Sequence, residues 1–123
     1  MVVAESVGPG AHINAVGAFT PTTRELPSPL LARARVYVDT RAGALKEAGD
    51  LLLAIDDGAF DVSQVVGEVG DVLLGVAAGR TQTDQVTIYK SVGAAFLDAA
   101  TARLAYDKAR RVGMGTVYEF DVE

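Results

Sequence analysis

Apolar residues along this chain fall into short runs whose period changes from one segment to the next. Residues 11–18 (AHINAVGA) are mostly apolar and read as a buried strand. Residues 35–39 (RVYVD) are alternating and rich in β-branched side chains, and 86–89 (VTIY) repeat that pattern, so both predict strands. A further alternation over 116–120 (TVYEF) predicts a final strand. Between these runs the period lengthens. Ser28, bracketed by Pro27 and Pro29, predicts the N-cap of a short helix over 29–34. Thr40 caps a helix over 41–48 that stops near Gly49. Asp61 or Ser63 starts another, with Val65, Val66, Val69, Val72 and Leu73 along one face. The longest helix, 92–112, measures about 30 Å and ends at Gly113-Met114-Gly115. Residues 51–55 (LLLAI) fit either a short strand or more helix. Gly8-Pro9-Gly10 and Asp56-Asp57-Gly58 are turn signals, and 75–84 form a polar loop. The βαβα rhythm predicts an α/β fold with a mainly parallel sheet.

Composition narrows the functional classes. The chain has 123 residues, of which 50% are hydrophobic and 22% charged, the balance of a globular domain with a real core. A net charge of −5 argues against a sequence-independent hold on nucleic acid. The basic cluster Lys108, Arg110 and Arg111 sits where the negative end of a helix accepts cations. The absence of cysteine excludes disulfides and thiolate chemistry, and His12, the single histidine, excludes a multi-histidine metal centre within one chain. No metal site is expected. No apolar run approaches the roughly 18 residues of a membrane helix, and no basic start precedes a long apolar core. The expected setting is the cytoplasm, away from the membrane.

Ligands of open α/β sheets bind outside the carboxyl ends of the strands. HINAVGA and VTIYKSVG each run from a strand into small or polar residues and a glycine-bearing turn, so they predict two edges of one binding site. Ser91 either caps the long helix or faces a ligand, because amides at a helix start suit an anion or a carboxamide oxygen. Gly8-x-Gly10 reads as a turn. Ile13 occupies the third position of a dinucleotide fingerprint, and the glycines precede a strand instead of following one. Arg80 is either a solvated loop residue or an anion ligand. Asp39 at a strand end and Glu47 before a helix-ending glycine are candidate carboxylates, whereas Asp56 and Asp57 suit a turn. His12 reads as a hydrogen-bonded strand residue.

The stretches GAHINAVGAFTPTTREL, ARVYVDTRAGALKEAGDLL, GEVGDVLLG, GRTQTDQVTIYKSVGAAFLDAATARLAYDKA and GMGT together resemble the ornithine cyclodeaminase/mu-crystallin family. They occur in the family's order and spacing over essentially the whole chain. The resemblance covers the family's C-terminal portion. It implies that residues 1–91 form the C-terminal half of a Rossmann-like NAD(P)-binding domain, and that 92–123 supply the long helix and strand of a composite dimerisation and substrate domain. It further implies NAD or NADP as cofactor, with Val16, Gly17 and Ala18 beside the nicotinamide and Lys90 and Ser91 also at the cofactor. Val92 and Glu47 match residues near the substrate, a small amino or imino acid.

The fingerprint loop and the residues that grip the substrate carboxylate belong to the family's N-terminal part. Phe19 stands where cyclodeaminases carry a catalytic aspartate, and an aromatic ring cannot exchange protons with an amine or imine. Thr23 replaces a basic residue near the cofactor. No catalytic residue is therefore assigned, and the motifs read closer to the mu-crystallin and bacterial reductase side. Two roles stay open. One is a portion of an NAD(P)-linked oxidoreductase, inactive alone and reducing cyclic imines when completed by an N-terminal half. The other is a non-catalytic, self-associating module or functionless remnant, with Ala95, Ala99, Ala102 and Tyr106 as a homo-oligomer seam.

Overall fold

A computed structural model describes residues 2–119, and the chain divides after Gly93 into two compact units. The first contains a four-stranded sheet. Its strands are β1 (His12–Ala15), β2 (Arg35–Val38), β3 (Val65–Glu68) and β4 (Thr87–Lys90). Their order is β1-β4-β2-β3, and all three pairings are parallel. Parallel neighbours need crossover connections. These contain the helices α1 (Ser28–Arg33), α2 (Arg41–Glu47), α3 (Gly49–Asp56) and α4 (Val69–Leu73). The core joins Val36, Val38 and Ile88 of the central strands to Leu26, Leu30, Leu31, Leu51 and Ala54, all fully buried. The α/β class and the parallel sheet are as the sequence predicts.

Several local expectations are corrected. Only His12–Ala15 of the run 11–18 is strand, and it is an edge strand with His12 and Asn14 exposed, because β4 alone pairs with it. Ser28 lies inside α1 with Pro27 as the N-cap, and its hydroxyl donates to Asp57 Oδ2 at 2.6 Å. Asp57 also pairs with Arg24 at 2.9 Å, so it does more than make a turn. Residues 51–55 are helical, within α3.

The helix expected from Asp61 or Ser63 forms only in its last part, as α4 over Val69–Leu73. Asp61 caps a single 3-10 turn, Val62–Gln64, and the chain then enters β3. Val65 and Gly67 are buried while Val66 and Glu68 are half-exposed, a period of two. Ladder bonds to β2 outweigh the helical spacing of the valines, and Gly67 would cost a helix about 1 kcal/mol relative to alanine. Residues 116–119 lie in no strand, having no ladder partner among the described residues, and Phe120 lies outside those residues.

Arg80 is exposed, as a solvated loop residue is, but its guanidinium is committed to internal acceptors. It donates to the carbonyls of Gly10 (2.6 Å), Gln85 (2.7 Å) and Ala11 (3.2 Å) and to Thr87 Oγ1 (3.0 Å), tying together the starts of β1 and β4. His12 is hydrogen-bonded, with Nδ1 2.8 Å from the same Thr87 hydroxyl and Nε2 3.2 Å from Asn14 Oδ1.

The second unit is built on α5 (Ala95–Val112). The helix begins three residues later than expected, and Gly113 stops it in the left-handed region at φ 69°. Arg110 and Arg111 occupy its last turn, and Arg103 bonds Asp107 at 2.7 Å. None of its residues is buried. Among the described residues no helix is long and apolar enough to cross a membrane, and no group of three or more metal-ligating side chains forms.

Candidate functional site

The sheet register assembles the site. Ala15 pairs with Lys90, and Val38 pairs with Lys90 on the other side. The residues that follow the three strands therefore leave the sheet along one edge: Val16–Gly17–Ala18 after β1, Asp39 and Thr40 after β2, and Ser91–Val92–Gly93 after β4. The Ser91 amide extends the pairing by donating to the Ala15 carbonyl at 3.0 Å. Val16 and Phe19 are well exposed there.

Asp39 organises the turn after β4. Its Oδ2 accepts from Ser91 Oγ (2.9 Å), from the Val92 amide (2.9 Å) and from the Gly93 amide (2.8 Å). Its Oδ1 accepts from the Thr40 amide at 2.8 Å. These bonds hold residues 91–93 out of the helix, which explains the late start of α5. A buried carboxylate with four donors acts as a scaffold for this turn. The Ser91 hydroxyl gives its proton to Asp39 and accepts from the Gly93 amide at 3.2 Å, leaving one lone pair uncommitted.

Lys90 stands behind the site. Successive side chains of a strand alternate, so Lys90 shares the core-facing side of β4 with Ile88, and both are fully buried. The ammonium meets two carboxylates. Nζ is 3.1 Å from Glu25 Oε1, and 2.9 Å from Asp50 Oδ2 in a contact off the hydrogen-bond line. Asp50 also accepts the amides of Glu25 (2.7 Å) and Leu26 (2.8 Å) through Oδ1. Glu25 Oε1 in turn accepts the amides of Gly17 (2.8 Å) and Ala18 (3.3 Å). Partial burial pushes the Glu25 carboxyl up, but donors from Gly17, Lys90 and Ala18 outweigh it and hold the group below its ordinary 4.5. The approach is close: a Cβ at position 17 would stand 2.5 Å from Glu25 Oε2, so a larger residue there would displace the carboxylate.

Of the residues singled out in the sequence, Val16, Gly17, Ala18, Ser91 and Val92 come together at this edge. Lys90 lies beneath them with its ammonium enclosed, so it reaches the edge through Glu25 and not by contact. Glu47 ends α2, the helix that leads away from the strand ends, and pairs with Lys46 at 3.9 Å. Among the described residues no hydrogen bond or ion pair links it to the two turns. Sequence reasoning misses Glu25 and Asp50 as site residues. The signal for them is the period-two placement of Lys90 on the core side of its strand, which demands buried carboxylates. A cavity of about 380 Å³ on the opposite face of the sheet, lined by His12, Tyr37, Thr87, Tyr89, Val69 and Val72 among others, contains none of the strand-end residues.

A model of the ornithine cyclodeaminase/mu-crystallin family matches residues 1–113. The chain belongs to this family. Among relatives, it is 41% identical to a Delta(1)-pyrroline-2-carboxylate reductase of Bacillus cereus over 97% of its own length and 37% of that protein's. It is 45% identical to the ketimine reductase mu-crystallin of Mus musculus, over 84% of its length and 30% of that protein's. Among solved structures, the Delta(1)-pyrroline-2-carboxylate reductase of Thermococcus litoralis, in complex with NADH and L-proline, superposes with a TM-score of 0.81 at 38% identity. That match covers 91% of this chain and 35% of the Thermococcus protein. The chain thus spans about a third of the length of these family members.

Proposed function

We propose that this chain forms the nicotinamide-side wall of an NAD(P)-dependent reductase of amino and imino acids, with reduction of a cyclic imine as its reaction. The observation that carries this reading is the side-by-side exit of the Val16–Ala18 and Ser91–Gly93 turns from paired parallel strands. The residues fit a flat, weakly charged ring. Val16 offers an exposed apolar face, and Gly93, at φ 92°, has open space where a Cβ would stand. The Lys90, Glu25 and Asp39 charges are all turned to internal partners.

A bound dihydronicotinamide would supply hydride. The residues of this chain would supply shape and orientation: the 16–18 turn would seat the ring, the free lone pair of Ser91 would accept from a carboxamide, and Val92 would stand toward the amino or imino acid, whereas Glu47, on the helix leading away, is assigned to the substrate by the family match alone. Phe19 offers no proton, so the acid that protonates the imine nitrogen comes from outside this turn. The relatives' named activities, pyrroline-2-carboxylate and ketimine reduction, support this class. The reading extends to a cytoplasmic setting and to activity only together with a complementary N-terminal half.

Titration of the purified chain with NADH and NADPH, followed by nicotinamide fluorescence and thermal melting, tests the proposal. Saturable fluorescence change with a rise in melting temperature is the expected result, because a ligand that binds only the folded state stabilises it. A folded chain that changes neither signal, alone or mixed with a recombinant N-terminal half of a family member, would overturn it.

One observation favours a second reading, a self-associating module. Ala95, Ala99, Ala102 and Tyr106 lie along one line of α5 and are all exposed, as are Phe96, Leu104 and Val112. Most helical stability in proteins comes from packing an apolar face, and no residue of this face is buried. Light scattering at rising concentration is expected to give a mass above the monomer's 12.8 kDa. A constant monomer mass would remove this reading.

A further inference from the structure

We infer that Glu25 is a positioning residue that, held by the buried Lys90–Asp50 pair, fixes which surface of the Val16–Gly17–Ala18 turn meets a ligand. The inference rests on the functional reading above, since it concerns the same turn. Three charged residues from three separate elements converge on it: Glu25 before α1, Asp50 in the first turn of α3, and Lys90 at the end of β4. Neither Lys90 nor Asp50 has any exposed side-chain surface, so they play no solvating role. An ammonium enclosed in this way is tolerated only when paired. Its pairing with Glu25 places a carboxylate directly beneath the turn after the neighbouring strand.

That carboxylate draws the amides of Gly17 and Ala18 inward. Ala18 is buried, while Val16 and Gly17 stay exposed. The turn therefore presents the exposed Val16 side chain and has two of its donors engaged by Glu25. Released, the same two amides would be free to turn outward, and consecutive outward amides suit an anion. Glu25 thus selects an uncharged ring over an anionic group at this edge. The folded Glu25 carboxyl is held below 4.5, so the clamp is intact at neutral pH and is lost as the pH falls through that lowered value.

The test uses the ¹⁵N-labelled full chain, wild type and Glu25→Gln, with amide spectra recorded from neutral to acid pH and NADH titrated into each at neutral pH. In the wild type the Gly17 and Ala18 amide resonances should move together with one acidic midpoint. In Glu25→Gln that shared titration should vanish while the spectrum stays dispersed, and NADH affinity should fall by about 10-fold or more, equivalent to about 1.4 kcal/mol. Wild-type Gly17 and Ala18 amides that show no common titration would overturn the clamp without any variant. Unchanged NADH affinity in a folded Glu25→Gln chain would overturn its positioning role. Wild type that binds no NADH, alone or mixed with that N-terminal half, would sink both the functional reading and the ligand-selecting role, with the amide titration still deciding the clamp itself.

Discussion

Lys90→Met should cost about 3–5 kcal/mol of stability, the scale for breaking a buried ion pair by removing one partner. The loss would appear as a lower urea midpoint with an unchanged slope. Methionine fills most of the lysine's volume and its burial is favourable, so packing is not what fails. The loss comes from Asp50, which has no exposed side-chain surface and would keep only the Glu25 and Leu26 amides as partners. Glu25, about a third exposed, would draw water and lose less. The double variant Lys90→Met with Asp50→Leu should therefore recover part of the loss, but not all of it, because the two amides capped by Asp50 would then be orphaned. A loss below about 1 kcal/mol for Lys90→Met would mean that the ammonium behaves as a solvated surface charge.

Asp39→Ala should cost about 3 kcal/mol, since hydrogen bonds to a charged group are worth roughly 1.5–3 kcal/mol each and do not sum. Four donors lose their acceptor: the Ser91 hydroxyl and the amides of Thr40, Val92 and Gly93. The part-exposed amides recover water, which keeps the total well below four full bonds. The damage should also be local. Hydrogen exchange at Val92 and Gly93 should rise more than exchange in the sheet, and the freed 92–94 segment should gain helical character continuous with α5. Equal increases at both places would argue against a local latch. Asp39→Asn should fall between, because its amide nitrogen cannot accept.

Much of this architecture can be read from local pattern, and the exceptions share a cause. β2 and β4 are the central strands, and their β-branched alternation matches burial on both sides. β3 is hidden because VVGE continues into Val69 and Val72 at helical spacing, and only the partner strand decides between the two periods. The short edge strand β1 looks longer than it is because its apolar run continues into a turn that another residue, Glu25, holds in place. The two strand-end turns are legible as a pair from their glycines and from the family motif. Their internal wiring is not. Nothing near Asp39 indicates that it would claim the amides of residues more than fifty positions later, and nothing near Glu25 names Lys90 as its partner. Such pairings are set by strand order, which local sequence does not encode.

The ligand-facing turn of β1 owes its shape to side chains that never line it, drawn from positions 25, 50 and 90. A designer who transplanted HINAVGA onto another parallel sheet would obtain a loop of the right sequence and an undefined conformation. The portable unit is the turn together with a lysine one strand over and two carboxylates from distant segments, and these must move as a set.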